Sequence, residues 1–328
     1  MPRSLTIRRD SFPIRGSFRI SRGAKTAAEV VVAEIRDGAV LGRGECVPYG
    51  RYGETLDGVV AALEAIAPAV AAGLGREELE RAMPAGAARN ALDCAFWDLE
   101  AKLSGIPAWR LAGLGAAPGP VITAYTLSLD TPEAMARAAR AAAERPLLKL
   151  KLTGDGDLER VRAVRRAVPA ARLIADANEG WSLDQLRRFA PEMADLGVEL
   201  IEQPLPAGAD GALAGFACPV PLGADESCHG REGLEALKGR YQVLNIKLDK
   251  TGGLTGALAL KRAAEAAGFG VMVGCMVATS LAMAPAMLVA QGARLVDLDG
   301  PLLLAVDREP GLRYEGAVVH PPEPPLWG

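Results

Sequence analysis

Residues 146–154 read PLLKLKLTG, with Leu148, Leu150 and Leu152 alternating with Lys149 and Lys151. A period of two is a strand pattern, one face apolar and the other charged. Taken alone, it describes an edge strand with solvated lysines. Its surroundings argue otherwise, because similar short apolar runs recur from Val121 onward: VITAYTLSL, LLKLKL, RLIADAN, VELIEQP, VPLGADES, YQVLNIKLD, GVMVGCM and RLVDLDGP. Between them lie stretches of helical period. TPEAMARAARAAAE has Pro132 at a first helical position, and SLDQLRRFAPEMADLG has Ser182 and Gln185 at capping-box spacing.

Eight strand–helix units predict a parallel sheet that closes into a (β/α)8 TIM-type barrel. An open doubly wound sheet is the alternative, but it normally has a glycine-rich first turn, missing here. The first 115 residues read differently. SLTIRRDSFPI and AAEVVVAEIRDGAVLGRGEC alternate like antiparallel strands, while ETLDGVVAALEAIAPAVAAG and ARNALDCAFWDLEAKLSG have a helical period. The predicted organisation is an α+β capping domain over 1–115, a linker at GLGAAPGP (113–120), a barrel over 120–302, and a segment 303–328 returning to the cap. The linker's glycines lack the strand-to-helix context of a phosphate loop.

Composition narrows the function. Of 328 residues, 50% are hydrophobic, which supports a large core, and a net charge of −3 leaves no basic surplus for nucleic acid or an anionic membrane. The apolar run near 281–290 is too short to span a bilayer, and MPRSLTIRRD carries no apolar signal region. Five scattered cysteines fit free thiols in a cytoplasmic protein. Two histidines, His229 and His320, make a histidine-built zinc site or a Ser-His-Asp triad a poor reading. Cys228 beside His229 has no residue to orient it as a nucleophile, and Cys275 with Met276 reads as packing near the site. Trp97 and Trp181 read as core or lid packing.

Polar residues stand at the ends of successive strands, where barrel active sites form. They are Lys149 and Lys151, Asp176 and Asn178, Glu202 and Gln203, Asp225 and Glu226, Lys247 and Asp249, and Asp297 and Asp299. A single buried acid is often a satisfied core residue, but five successive ends of this kind, from Lys149 to Asp249, argue against coincidence. Asp176, Glu202 and Asp225 would converge as three carboxylates, which repel one another unless a cation lies between them. An all-oxygen set suits Mg2+, with Mn2+ as a substitute. Lysines on strands two and six would face each other across the barrel mouth, as proton transfer on opposite faces of one carbon requires. The like charge of Lys149 and of a metal would lower the pKa of Lys151 toward a neutral base.

KLKL, DANEGW, LIEQPL, ADES, NIKLDKTGG and DLDGP, together with RGAKTAAEVVVAEI, GECVPYGRYGET and PAGAARNALDCAFWDLEAK near the N-terminus, resemble the muconate-lactonizing subgroup of the enolase superfamily. Within it the chain is most similar to the L-Ala-D/L-Glu epimerases, a type of dipeptide epimerase. The resemblance implies Lys151 and Lys247 as the acid/base pair, Asp176, Glu202 and Asp225 as Mg2+ ligands, and Lys149 and Thr126 as substrate contacts. It implies that Asp297 and Asp299 bind the dipeptide ammonium, which cycloisomerases and o-succinylbenzoate synthases do not need. Two specificity loops are expected at 19–26 and 48–55. Lys25 would meet a distal carboxylate, with Arg22 as the fallback, and Arg51 and Tyr52 would line the second loop. Epimerases of hydrophobic or cationic dipeptides, a muconate cycloisomerase-like or o-succinylbenzoate synthase-like enzyme, a pyridoxal-phosphate racemase and a binding protein without chemistry stay open. The partner expected is a small dipeptide, with self-association possible.

Overall fold

A computed structural model describes residues 3–328. Strands β1 (Ser4–Ile20), β2 (Gly23–Asp37) and β3 (Val40–Cys46) form an antiparallel sheet. Helices α1 (Leu56–Ala71), α2 (Arg76–Ala82) and α3 (Ala87–Ser104) cover it. Thr55 caps α1 by accepting from Gly58 N–H, and Gly105 ends α3 in the left-handed conformation. On β3, a Cβ at Gly44 would meet Ala91 O at 2.1 Å and one at Gly42 would meet Ala95 O at 2.3 Å, so α3 rests directly on the strand backbone. Helix α3 is buried on two faces. Ala91, Leu92, Ala95, Phe96 and Leu99 fill the capping core, whereas Cys94, Trp97 and Ala101 join the larger core toward the barrel.

The eight predicted strands lie side by side in one sheet: β5 (Tyr125–Leu127), β6 (Leu147–Lys151), β7 (Arg172–Asp176), β8 (Val198–Glu202), β9 (Leu222–Ala224), β10 (Val243–Ile246), β11 (Gly270–Val273) and β12 (Leu295–Val296). All adjacent pairs are parallel. The sheet curls back on itself, because Ala124 N–H donates to Val296 O at 2.8 Å. Ala124, Leu147, Ile174, Leu200, Val243, Met272 and Leu295 form one buried layer, a residue from beside or within each of seven strands. The eighth place falls to Gly223, where a Cβ would press on Leu200 at 3.2 Å. Such a layer is the filled interior of a barrel. Leu148, Leu150 and Leu152 instead pack into the outer core under the helices. The period-two pattern of β6 therefore separates helix-facing leucines from inward lysines.

Two expectations change. The run VITAYTLSL is not one strand: β4 (Val121–Ile122) separates from β5 and pairs with the hairpin β13 (Tyr314–Glu315) and β14 (Val318–Val319). The strand–helix alternation is also uneven, since short turns at Asp210–Leu213 and Leu234–Leu237 replace full helices around β9. The Ser182 cap is as the spacing predicts, with Ser182 Oγ accepting from Gln185 N–H and Gln185 Oε1 accepting from Ser182 N–H. The chain beyond Leu303 runs along the capping sheet. Ala305 N–H donates to Pro13 O, Arg308 pairs with Glu45 and Asp10, and Arg43 donates to Pro325 and Leu326 carbonyls.

Candidate active site

The barrel strands end in a ring of buried charge. Lys149, on β6, places its ammonium 2.8 Å from Asp297 Oδ2, 2.9 Å from Glu202 Oε2 and 3.1 Å from Asp176 Oδ2. The Glu202 contact is ionic without hydrogen-bond angles, so Glu202 Oε2 has no hydrogen-bond partner. Lys151 donates to Asp176 Oδ2 at 2.6 Å, and Lys247 to Asp225 Oδ2 at 2.7 Å. Lys250, one short turn beyond Lys247, donates to Asp225 Oδ1 at 2.7 Å and to the carbonyls of Asp225 and Asn245. Asn245 donates to Glu202 Oε1 at 2.6 Å.

These contacts set the protonation states. Burial would raise Asp176, but the Lys151 and Lys149 ammonium groups outweigh it and hold the carboxyl at about 2. Burial likewise opposes Asp225, and Lys247, Lys250 and Lys149 hold it well below the usual carboxylate range. Glu202 has less compensation: burial and the neighbouring Asp176 push it up to about 7. Burial disfavours the Lys149 and Lys247 cations, yet the surrounding carboxylates hold both well above an ordinary lysine. The Lys149 and Lys151 ammonium groups sit on the same oxygen, Asp176 Oδ2.

The residues fit a hard cation by donor chemistry. Three buried carboxylates on adjacent strands offer only oxygen, and Glu202 Oε2 lacks a hydrogen bond. As placed, no three His, Cys, Asp or Glu side chains among the described residues surround one ion-sized point. The Lys149 ammonium bridges Asp176 and Glu202, and Lys247 and Lys250 hold Asp225.

At the far side, Asp299 Oδ2 accepts from Thr126 N–H at 2.6 Å, and burial beside Asp297 raises its carboxyl to about 7. Asp297 Oδ1 is buried without a partner. A cavity of about 350 Å³ joins these groups, bordered by Thr126, Lys149, Lys151, Asp225, Lys247, Asp297 and Asp299. That volume lies in the range of small-molecule sites. Phe18, Ile20, Met276, Val277 and Leu303 give it an apolar wall, and Cys275 borders it as well.

The expected loop 19–26 is the tip of the β1–β2 hairpin, with Phe18 opposite Lys25 and Ile20 opposite Gly23. Lys25 borders the cavity, is exposed at the hairpin tip, and has no ion-pair partner among the described residues. Partial desolvation lowers its pKa, Glu29 opposes this, and its ammonium lies 5.8 Å from the Tyr49 ring centre. Arg22, the fallback anchor, also borders the cavity but is already engaged. It donates to Glu226 Oε1 at 2.6 Å, Asn178 O at 2.7 Å, the Tyr49 hydroxyl at 2.8 Å and Glu179 Oε2 at 3.2 Å. The structure also keeps Tyr52 out of the reactive cavity, where Tyr49, Gly50 and Arg51 stand instead. Tyr52 packs edge-on against His229 with ring centres 4.7 Å apart, bordering a second cavity on the other side of that segment.

Sequence reasoning missed Lys250, Asn245 and Glu179. A lysine three residues after Lys247 in a helical turn was a readable signal for the first. Asp249, grouped with Lys247 by position, turns away from the cavity and accepts from Val47 N–H and Asn90 Nδ2 of the cap. Cys228 and His229 form no couple: burial raises the thiol to about 11, and the imidazole Nε2 pairs with Glu226 O. Trp181 packs edge-on against Phe189 and donates to Asp157.

The family model for the mandelate racemase/muconate lactonizing enzyme N-terminal domain matches residues 3–113, and the enolase C-terminal domain-like model matches residues 133–325. The chain is 48% identical over 320 residues to the L-Ala-D/L-Glu epimerase of Escherichia coli (strain K12), covering 97% of this chain and 99% of that one. It is 46% identical to an N-acetyl-D-glutamate racemase of Pseudoalteromonas sp, covering 91% and 95%. An enolase family member from Agrobacterium tumefaciens with homology to dipeptide epimerases, solved with bound sodium, L-Ala-L-Glu and an ordered loop, superposes at a TM-score of 0.98. That structure is 56% identical and is covered over 100% of both chains. Other solved dipeptide epimerases resembling the chain, at 27–31% identity and TM-scores of 0.87–0.91, are complexed with Mg and a dipeptide.

Proposed function

The chain belongs to the mandelate racemase/muconate lactonizing enzyme family of the enolase superfamily, and from that membership we propose a Mg2+-dependent epimerase interconverting L-Ala-D-Glu and L-Ala-L-Glu. The observation that carries this reading is the pair of buried lysines, Lys151 and Lys247, on strand ends four apart in an eight-stranded barrel and bordering one cavity. One lysine removes the α-proton of the C-terminal residue and the other returns a proton to the opposite face. Asp176, Glu202 and Asp225 would hold the cation, which supplies charge stabilisation for the enolate form of the substrate carboxylate. Lys149 would then move from those carboxylates toward the substrate carboxylate. Asp297, whose Oδ1 lacks a donor, and Asp299 pair with the dipeptide ammonium, and Thr126 positions Asp299. Peptides of this kind arise in cell-wall turnover, the setting proposed for the reaction, and the enzyme would act in the cytoplasm.

The distal glutamate carboxylate meets Lys25 rather than Arg22, because Arg22 is already held by Glu226 and Glu179. A second reading has one supporting observation, the N-acetyl-D-glutamate racemase relative. An N-acyl group offers Asp297 an amide in place of an ammonium. Incubation with L-Ala-L-Glu, N-acetyl-L-Glu and L-Ala-L-Leu in deuterium oxide separates the readings. Exchange at the glutamyl α-carbon of the dipeptide supports the proposal, and exchange confined to either other compound rejects it.

A further inference from the structure

Both segments over the cavity are tied to one carboxylate beyond the reacting groups. Glu179 accepts from Arg51 Nε at 2.7 Å and Arg51 NH2 at 2.8 Å, a bidentate pair, and from Arg22 NH1 at 3.2 Å and Ala207 N–H at 2.9 Å. Arg22 comes from the β1–β2 hairpin tip and Arg51 from the turn Gly50–Tyr52. The backbone beside it joins in, since Asn178 O accepts from Arg22 and from Ser21 Oγ. Tyr49 connects the two segments, its hydroxyl accepting from Arg22 and its ring facing Lys25.

The local backbone is bent to present this carboxylate. Asn178 and Glu179 have φ of 46° and 66°, in the left-handed region that non-glycine residues enter at a cost of about 1–2 kcal/mol each. At the following Gly180 a Cβ would meet Ala177 O at 2.8 Å and Thr153 O at 2.9 Å, so the turn closes tightly. Such conformations persist where surrounding contacts hold them, and here four donors converge on the Glu179 carboxylate. The side chain is buried, with 8% of its surface exposed, and is absent from the residues bordering the reactive cavity. It can act on a substrate only through the segments it holds.

We propose that Glu179 is a positioning residue that clamps both lid segments to the barrel before substrate arrives, and so fixes Lys25 over the cavity. Glu226 gives Arg22 a second anchor, whereas Arg51 has Glu179 as its single ion-pair partner among the described residues. Removing the Glu179 charge therefore frees the Gly50–Tyr52 turn more than the hairpin tip.

The test uses Glu179→Gln in the magnesium-loaded protein without dipeptide. Limited trypsin cleavage after Arg51 and Arg22 is measured relative to cleavage after Arg188, an exposed arginine far along the chain in the helix Leu183–Asp195. The ratio cancels any general loss of stability. A ratio raised about tenfold at Arg51, and less at Arg22, is the expected result, together with a KM for the substrate raised several-fold at a kcat within about twofold. A ratio unchanged at Arg51, or a kcat that falls at constant KM, overturns the proposal. The cleavage measurement needs no substrate, so it is independent of the choice of dipeptide.

Discussion

Lys25→Met removes one ammonium group while keeping most of the side chain's length. Lys25 is exposed at the hairpin tip without an ion-pair partner among the described residues, and partial desolvation beside the cavity lowers its pKa while Glu29 opposes this. The folded protein thus carries a cation beside the cavity that no carboxylate pairs with directly among the described residues. A ligand carboxylate about 4 Å away at an effective dielectric of about 20 would be attracted by about 4 kcal/mol. Desolvation of that carboxylate and solvent screening at the exposed hairpin tip cancel most of this, leaving roughly 1–2 kcal/mol. The expected loss in kcat/KM for L-Ala-L-Glu is therefore about 5- to 30-fold. For L-Ala-L-Gln, which has no distal charge, the loss should stay within about threefold. The assay compares both dipeptides in the wild-type and variant proteins by polarimetry or NMR. An equal loss for both, or none for the glutamyl dipeptide, refutes the assignment of Lys25 to a distal carboxylate.

Chelation should abolish exchange yet leave the chain folded, because Lys149, Lys151, Lys247 and Lys250 already neutralise the three carboxylates; loss of the circular dichroism signal on adding EDTA at 25 °C would contradict this. Asp249→Asn tests the cap–barrel junction. Burial raises Asp249 from 3.8 to about 7, so the folded state binds its proton more tightly than the unfolded chain, and this carboxyl costs stability as pH rises from about 4 to above 7. The variant should be more stable than wild type at pH 8, by up to about 4 kcal/mol, and nearly equal at pH 4, as read from urea unfolding; a difference independent of pH would refute it. Gly44→Ala should destabilise by more than about 3 kcal/mol or prevent folding, since its Cβ would lie 2.1 Å from Ala91 O; a melting temperature within about 2 °C of wild type would show that α3 does not sit on β3 as described.

The strands and their inward polar ends were legible because burial on both sheet faces makes each strand a short apolar run, and a charged residue interrupting it stands out. Lys149 and Lys151 illustrate this: their spacing by two placed them on one face, and the structure turns that face inward. The split of β4 from β5 was not legible, because Val121–Leu127 has uniform strand character and β4 finds its partner almost 200 residues away in β14. Distance along the chain also hid the role of Glu179, whose partners Arg22 and Arg51 lie in the other layer. Asp249 misled by position. It follows Lys247 at strand-like spacing, but the chain turns helical at Leu248 and rotates the carboxylate toward Val47 and Asn90. The resemblance places Lys25 at the distal carboxylate with Arg22 as the fallback, and the carboxylates around Arg22 separate the two in the structure.

The central claim is transfer of the glutamyl α-proton between two lysines on opposite faces. Proton NMR of L-Ala-L-Glu with the magnesium-loaded protein in deuterium oxide tests it directly, alongside Lys151→Ala and Lys247→Ala. The wild type should replace the glutamyl α-proton with deuterium as L-Ala-D-Glu accumulates, and neither variant should form that diastereomer. Retention of the α-proton by the wild type, or epimerisation at an undiminished rate in either variant, would contradict the account.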